Sequence, residues 1–484
     1  MKKFAFAALL ALGLVALMAP PVAFAADEEK MFTIHGEVRT RAEYQNNAGD
    51  FTDQDASGPP PFAGGETDDG AFFFPYRFRI AAEGHFTKNV TGWIEFQNGG
   101  VFGGDQDGPR RTAASDDDDD DTLVEVYQAY VTLGELWSKS FSLRIGRQEI
   151  VLGNEFIMGD EDFYNGISHD GVVAMWDMEK VDITAWYTRA FEDSVTNIAG
   201  SLPPDVGGYY YFIDGSADNH EMFGGYATFG VGKNQTVDVY VTYNNDRGSG
   251  ARYYTVGGRY ARDGWDKKGF IWNVELAQQF GSIASELITG MDVDASGMGG
   301  EGMFGFNFGG SKNVHRVYGR VEYATGNETP ATGPDDDYEG FLGIFGEFHN
   351  RAGRGDWFRV QGNDTFYGAA TTLLGGNYID AGLMAVSVGY NGMYNERHEF
   401  GVAFWDYTAE QEIDVLGGPG TDFQDDLGSA FDVWYGLNYT KNVAFEASYS
   451  QLSPGDALTS DGVAATSDAD DSVERFYAQI RLRF

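Results

Sequence analysis

Carboxylates are the residue type in this chain that could most readily do chemistry. The sequence has 74 Asp and Glu residues against 33 Lys and Arg, and Asp160, Glu161 and Asp162 stand together just before Asn165. Carboxylate and amide oxygens are the ligands that Ca²⁺ and other hard divalent cations prefer. We therefore expect a divalent cation site at Asp160, Glu161 and Asp162, and no other cofactor. The six consecutive acids at 116–121 lack a turn that would bring them together, so we interpret that run as a solvated loop.

The residues that catalysis or nucleic-acid binding would need are scattered or missing. There is no Cys, which excludes disulfides, thiolate metal sites and Cys nucleophiles. The 7 His are spread along the chain, and no spacing of Ser, His and an acid suits a nucleophile beside its base. We expect no enzymatic activity. A net charge of -41 repels phosphate backbones, so we also expect no nucleic-acid partner.

The segments that must position these side chains alternate between apolar and polar residues. From Phe32 to Tyr44, apolar or small residues alternate with charged and polar ones, and the same pattern closes the chain from Phe476 to Phe484. A period of two predicts β-strands with one apolar and one polar face. No helical periodicity of any length follows residue 30, so we predict an all-β fold.

Parity along these strands assigns a set of charged side chains to one face. The polar face collects both signs of charge, and the residues assigned to it include Arg39, Arg41, Arg77, Arg79, Arg144, Arg259, Arg320, Glu37, Glu43, Glu95 and Glu322. Charged side chains are costly against lipid, so consistent parity predicts a water-filled interior of mixed sign. Arg147 is the exception: it shares the parity of Leu143 and Ile145, and would face lipid unless Gly146 forms a bulge or the strand has reached the headgroups.

The connections between strands differ at the two ends. Short turns contain Lys, as at Lys88, Lys233 and Lys441, whereas segments such as 45–70, 98–121 and 327–379 are long, acidic and rich in Gly, Asn and Pro. Long extracellular loops and short periplasmic turns are typical of bacterial outer-membrane barrels. We predict a transmembrane antiparallel β-barrel of about 18 strands, with long acidic extracellular loops and short periplasmic turns. A β-sandwich or a two-domain extracellular protein is the alternative fold.

The first residues have the features of a secretory signal peptide. Lys2 and Lys3 precede an apolar run that ends at Met18, and Ala23-Phe24-Ala25 supplies a small-residue cleavage pattern. We predict that residues 1–25 are cleaved and that 26–484 form a single barrel domain. No later run reaches the ~18 apolar residues of a membrane-spanning helix.

Several segments resemble the alginate-export family of porins. The stretch Leu143-Arg144-Ile145-Gly146-Arg147-Gln148-Glu149, followed by Gly159-Asp160-Glu161-Asp162-Phe163 and Ser168-His169-Asp170-Gly171-Val172, is similar to that family. Glu322 to Asn327 and Pro454 to Leu458 fall where the family has similar stretches. The resemblance implies an 18-stranded outer-membrane barrel, and the family's named member exports a uronate polysaccharide through an Arg-rich lumen. The terminal Phe484 is similar to the C-terminal aromatic signal of such barrels.

Two positions depart from the family pattern. Glu161 stands where the family tends to have Arg between two acids, and Ala430 stands where an acid usually precedes Asp432. An acid in place of a cation removes one contact for a polyuronate. The resemblance therefore implies a barrel fold and a transport function, but it is a weak guide to alginate as the substrate.

We predict an outer-membrane porin or export channel for the passive passage of hydrophilic, anionic, saccharide-like solutes. A general cation-preferring diffusion porin is the alternative, because most acids lie in the loops. An outer-membrane barrel enzyme and a surface structural protein are further alternatives from other classes. The expected partners are outer-membrane lipids and either small hydrophilic solutes or a polysaccharide, and a monomer is favoured over an oligomer.

Overall fold

The computed structural model describes residues 31–46, 71–102, 124–163, 165–191, 220–246, 251–285, 291–310, 312–327, 337–343, 346–347, 349–358, 381–414, 423–459 and 472–484. The predicted signal peptide and the acidic run at 116–121 lie outside these residues. Both remain predictions.

Twenty-one strands and one short helix follow one another along the described chain. The strands are β1 (Phe32–Asn46), β2 (Ala71–Phe73), β3 (Pro75–Thr87), β4 (Val90–Val101), β5 (Glu125–Gly134), β6 (Phe141–Gln148), β7 (His169–Met178), β8 (Val181–Phe191), β9 (His220–Gly230), β10 (Thr236–Asp246), β11 (Arg252–Arg262), β12 (Gly269–Ser285), β13 (Met291–Ala295), β14 (Met298–Gly309), β15 (Asn313–Ala324), β16 (Asp337–Tyr338), β17 (Leu383–Tyr394), β18 (His398–Asp414), β19 (Phe423–Asn438), β20 (Val443–Pro454) and β21 (Val473–Arg483). Helix α1 is Asp456–Thr459. No helix among the described residues is long and apolar enough to cross a membrane.

The long strands close into a barrel. Each pairs antiparallel with its neighbours, and β1 pairs with both β3 and β21, so that Arg39 lies opposite Arg77 on one side and Arg481 on the other. The closed sheet has 18 strands. The short strands β2, β13 and β16 extend the edge of the sheet on the side of the long connections, and β13 and β16 pair in parallel. The predicted fold class and strand number are confirmed.

Alternation along each strand separates an apolar outside from a polar inside. On β10, Val239 and Val241 are 47% and 45% exposed, whereas Asp238 and Tyr240 between them are 1% and 4% exposed. Because successive side chains point to opposite faces of a sheet, the period-two pattern alone produces this division. The exposed apolar face is the surface that a bilayer covers in a barrel of this class.

Two connections fold into the barrel and fill part of its interior. The first inner loop, residues 149–168 apart from 164, joins β6 to β7, and contributes the buried side chains Ile157 and Met158. The second inner loop, residues 339–358 apart from 344, 345 and 348, follows β16 and contributes the buried Phe358. A hydrophobic core therefore lies inside the barrel, between these loops and the inner wall.

One glycine allows the first inner loop to lie against the wall. Gly166 has φ +82, and a Cβ there would stand 2.3 Å from the Tyr127 hydroxyl and 2.5 Å from Arg79 Nη2. A larger residue would strain the backbone and displace the wall side chains.

Arg147 faces outward, and the bulge considered at Gly146 is absent. The pairing of β5 with β6 runs without a register shift from Ala129↔Arg147 to Gly134↔Ser142. The Arg147 side chain is 45% exposed and lies beside Asp170 of β7. It shares the outer face with Ile145, as its parity requires.

Candidate functional site

All eleven charged residues assigned by parity to the polar face point into the barrel. Each has its polar group against other inward side chains or the inner loops. The contacts within the wall include Arg77 with Glu37, Arg41 with Glu43, Arg79 with Glu95, Arg259 with Asp238, Arg320 with Glu322, and Arg144 over the ring of Tyr130. Glu43 and Glu322 are fully buried. Their role in lining a conduction path remains a proposal.

Five of the inward arginines converge on one carboxylate. We call Arg39, Arg77, Arg79, Arg481 and Arg483 the arginine cluster. The carboxylate is that of Asp162 in the first inner loop. Its oxygens lie 2.5 Å from Arg77 and 3.4 Å from Arg79, and 3.8, 3.9 and 3.6 Å from Arg39, Arg481 and Arg483. The three strands β1, β3 and β21 supply these arginines because they are adjacent and carry them at the same height.

Further contacts hold the guanidinium groups in place. Glu37 accepts a hydrogen bond of 2.5 Å from Arg77 and one of 2.8 Å from Arg483, and Gln97 accepts one of 2.6 Å from Arg79 Nε. The Asn165 carbonyl oxygen also accepts a bond of 2.7 Å from Arg79. Charge-assisted bonds of this kind are roughly twice as strong as neutral ones, so the cluster is rigidly organised.

An aromatic contact accompanies the ion pairs. Phe163 follows Asp162, and its ring lies 3.5 Å below the guanidinium carbon of Arg41 and 3.3 Å from the ring of His349. The Phe163 carbonyl accepts a hydrogen bond of 2.5 Å from Arg41. Phe163 thus joins the first inner loop both to the wall and to the second inner loop.

The second inner loop is anchored to β14, β20 and β21 of the barrel wall by ion pairs. Arg351 binds Glu301 of β14, and Arg354 donates a bond of 2.8 Å to Glu446 of β20. Asp356 of the same loop lies 2.8 Å from Arg475 of β21. Together the two inner loops bridge the lumen from wall to wall and narrow it.

Loop carboxylates in contact with these arginines are held in the charged form. Burial alone would raise the pKa of Asp162, but Arg77, Arg39 and Arg79 overcome it and hold that pKa below its usual value. Burial opposes ionisation of Asp356 as well, yet His349, Arg475 and the Asn350 amide hold its pKa well below the ordinary range. Both groups are therefore carboxylates at neutral pH.

A second set of carboxylates lies where the two inner loops meet, and there the neighbouring arginines do not offset the effect of burial on the pKa. Oxygens of Glu155, Asp160 and Glu347 lie within 4.8 Å of one another. Burial raises the pKa of Glu347 to about 8, and burial followed by repulsion from a neighbouring acid raises the pKa of Glu155 and of Asp160. These three groups can share protons, or offer hard oxygen ligands to a divalent cation.

The structure separates the three residues predicted to form a metal site. Asp160 joins Glu155 and Glu347, whereas Asp162 binds the arginine cluster. The reason is local: Glu161 between them has a left-handed φ of 45, so the chain turns and the flanking side chains leave in different directions. The grouping of Asp160, Glu161 and Asp162 around one ion is therefore not the observed arrangement.

Two cavities continue from the second inner loop towards the end of the barrel that carries the short turns. The first, of about 360 Å³, is lined by residues that include Arg316, Arg320, Trp405 and Asp432. The second, of about 250 Å³, includes Arg397, Glu399, Glu446 and Arg481. Both are lined by Arg354 and Trp434, whose guanidinium carbon and indole ring lie 4.5 Å apart. Together the two cavities form a polar path, and the Trp434 indole supplies an aromatic surface along it.

Sequence reasoning missed the inner-loop residues. Glu347, Arg351, Arg354 and Asp356 lie in the segment 327–379, which the sequence predicts to be an extracellular loop, and Glu155 is not among the predicted site residues. One signal could have drawn attention to them: Arg351 to Asp356 alternates charge with Ala and Gly inside an otherwise acidic loop. Arginines with small neighbours can approach a wall closely, and a solvated surface loop does not need them.

Comparisons with known proteins agree with this architecture. A family model described as alginate export matches residues 64–361. Two crystal structures of the outer membrane protein OprD from Pseudomonas aeruginosa superpose with TM-scores of 0.52 and 0.53, at 12% and 10% identity; the first covers 96% of this chain and 99% of that chain, the second 95% and 97%. Pseudomonas aeruginosa OpdL gives a TM-score of 0.51 at 10% identity, covering 94% of this chain and 98% of that chain. No curated protein matches the sequence. At these identities the structures show a shared outer-membrane barrel fold.

Proposed function

Because the chain belongs to the alginate export family, we propose that this outer-membrane channel passes small hydrophilic solutes down their gradient, with anionic saccharides as its preferred class. The observation that carries the proposal is the binding of the Asp162 carboxylate by five arginines, at 2.5 to 3.9 Å. A site that holds one carboxylate in an aqueous lumen has the charge and the hydrogen-bond geometry for another.

A passing solute meets the inner loops first, then the arginine cluster, and then Trp434 and Arg354. The inner loops exclude bulky solutes, and the arginine cluster attracts the carboxylate of a solute in exchange for Asp162. The Trp434 indole then offers an apolar face to a sugar ring, while Arg354 and Asp432 bind hydroxyl or carboxylate groups. Oppositely charged walls keep a dipolar or anionic solute oriented without trapping it, which passive conduction requires.

Reconstituted channels test this proposal with glucuronate and glucose as probes. Glucuronate should reduce the ionic current through the native channel, and glucose should not. In R77Q/R79Q the half-blocking concentration of glucuronate should rise about tenfold or more, because charge-assisted hydrogen bonds are lost. R77K/R79K keeps the charge and should recover part of the block. R262Q, on the outer face of β11 beside a short turn, should behave as the native protein. Equal block of all four proteins would contradict the proposal.

A general cation-preferring diffusion porin is the second candidate. The acid excess of the chain, 74 against 33, favours it. In that case glucuronate should have no effect on the current, at low or at high ionic strength. We propose that the channel has no enzymatic activity. An outer-membrane enzyme or a surface structural protein, the remaining alternatives, would lack a solute-dependent single-channel current.

Processing and assembly complete the proposal. We propose that residues 1–25 direct export and are removed, and that 26–484 form a monomeric barrel surrounded by outer-membrane lipids. A divalent cation at Glu155, Asp160 and Glu347 would join the two inner loops, because each loop contributes a ligand.

A further inference from the structure

A row of charged and polar side chains runs across neighbouring strands on the outer wall of the barrel. The row consists of Arg147, Asp170, Arg189, Glu221, Asn245 and Arg252, one residue from each strand from β6 to β11. Each is directly opposite the next in the antiparallel register: Arg147↔Asp170, Asp170↔Arg189, Arg189↔Glu221, Glu221↔Asn245 and Asn245↔Arg252. Residues opposite each other share a face, so the whole row points outward with Arg147.

The row is exposed and its members orient one another. Arg147 donates two bonds to Asp170, of 2.8 and 2.6 Å, and Arg189 donates one of 3.3 Å to Glu221. The side chains of Arg147, Asp170 and Arg189 are 45%, 42% and 37% exposed. Arg252 is exposed and has no hydrogen-bond or ion-pair partner among the described residues. Three guanidinium groups against two carboxylates make this strip positive on a chain whose net charge is -41.

Apolar and aromatic side chains lie directly below the row. The residues two positions along each strand, towards the end with the short turns, are Ile145, Val172, Tyr187, Phe223, Tyr243 and Tyr254. The rings of Phe223 and Tyr243 lie 4.9 Å apart and those of Tyr243 and Tyr254 lie 4.6 Å apart. Aromatic girdles of this kind mark the boundary between the hydrocarbon region and the headgroups.

The height of the row fits the same boundary. From Val181 at the start of β8 to Arg189, the strand advances eight residues, which is roughly 20 Å along the membrane normal for a strand tilted by about 40°. The outward apolar band of such barrels is about 25 Å tall. The charges therefore lie at the upper edge of the band, on the side of the long loops.

We propose that this row is a binding site for the phosphorylated headgroup of a lipid in the outer leaflet. Arg side chains bind phosphate through paired N–H groups, and the carboxylates of Asp170 and Glu221 fix the orientation of two of them. The aromatic side chains beneath contact the first part of the acyl chains. On the opposite wall, outward positions near the same end hold the acids Asp406, Glu410 and Glu474. Of the outer surface that the structure describes, the side formed by β6 to β11 thus offers positive charge to a lipid phosphate, and the opposite side offers negative charge.

The test measures lipid binding to the detergent-solubilised full-length barrel by native mass spectrometry. The probes are diphosphoryl lipid A and its dephosphorylated form, with inorganic phosphate as a competitor. We expect the native protein to bind diphosphoryl lipid A at least about tenfold more tightly than R147Q/R189Q/R252Q does, as loss of charge-assisted hydrogen bonds implies. R147K/R189K/R252K should keep much of the affinity. R262Q, an outward arginine at the other end, is the matched control and should bind as the native protein.

Several results would overturn the proposal. Equal binding of lipid A to the native and triple-Gln proteins is one, and equal binding of the dephosphorylated lipid is another, since the apolar surface would then explain the association. Displacement of lipid A by inorganic phosphate alone would point to a free anion as the ligand. A dimer that the triple substitution dissociates would identify the row as an interface between copies. R252Q leaves both ion pairs intact, so it decides the question if the triple variant fails to fold as a heat-modifiable barrel.

Discussion

Glu347 and His349 stand two residues apart in the second inner loop, and burial favours the neutral form of both. Burial raises the pKa of Glu347 to about 8 and lowers that of His349 to about 4. The Glu347 carboxyl faces Glu155 and Asp160 of the first inner loop. At neutral pH the junction of the two loops therefore carries less negative charge than its sequence suggests, and that charge must grow as the pH rises.

The junction should weaken at alkaline pH. The pKa of Glu347 is raised in the docked state above its ordinary value of 4.5. Docking is therefore fully favoured below that value and is progressively opposed as the pH rises through about 8. We expect the open fraction of single channels to increase between pH 6 and pH 9, because ionised Glu347 repels Glu155 and Asp160.

Two variants and one ion check this pH dependence. E347Q cannot ionise, so its open fraction should be nearly constant over the same range, whereas E135Q in an exposed turn should titrate as the native channel does. Ca²⁺ added at alkaline pH should restore the closed level of the native channel if the three carboxylates bind it, and should not do so in E347Q. A native channel that closes at alkaline pH would show that the junction does not govern opening.

The strands and the inner loops differ in how far they could be predicted. Alternation assigned the inward charges of β1, β3 and β11 correctly, because the faces of a sheet follow from the local sequence alone. The inner loops could not be assigned in this way: Asp162 meets Arg77 across 85 positions of sequence, and Arg354 meets Glu446 across 92. Such contacts depend on closure of the whole barrel, which no local pattern describes.

Release of the first inner loop should change both conductance and selectivity. D162N removes the carboxylate that the arginine cluster binds, and loss of charge-assisted hydrogen bonds should shift the closed-to-open equilibrium by roughly tenfold. Because the cluster would then face the lumen without its carboxylate, the current should also shift towards anions. Reversal potentials and open fractions measure the two effects. E135Q, in an exposed turn, leaves both the cluster and the junction of the inner loops intact, and an equal change in E135Q would contradict this role for Asp162.

The orientation of the barrel gives a second prediction at the scale of the elements. Outer-membrane barrels carry long loops on the cell surface and short turns in the periplasm. A Cys introduced at Asp118 should react with a membrane-impermeant maleimide on intact cells, whereas one at Lys233 should react only after lysis. The native chain has no Cys, so it needs no background substitutions. The reverse labelling pattern would require the opposite orientation of every strand.

At the scale of the whole molecule, charge is divided between two regions. Segments predicted to be extracellular loops, such as 98–121, carry a clear excess of acids over bases. The inner wall instead pairs arginines with carboxylates, as at Arg259 and Asp238 or Arg320 and Glu322. Exposed charges act on approaching ions over the Debye length, but charges in the narrow lumen act at contact distance. The two regions should therefore respond differently to salt.

The native channel should prefer cations at low ionic strength and lose most of that preference at high ionic strength. Screening reduces the reach of the loop acids from about 30 Å at 0.01 M salt to about 3 Å at 1 M, and screens buried lumen pairs much less. Substitution of the acids at 116–121 by Asn and Ser should reduce the low-salt preference only. Substitution of Arg39, Arg41, Arg77 and Arg79 by Gln should instead raise cation preference at every salt concentration, because the acids of the lumen would then be in excess. Reversal potentials under salt gradients measure both effects. Anion preference at low salt would mean that the arginine cluster, and not the loops, selects the ions that enter, as an exporter of polyuronates would require.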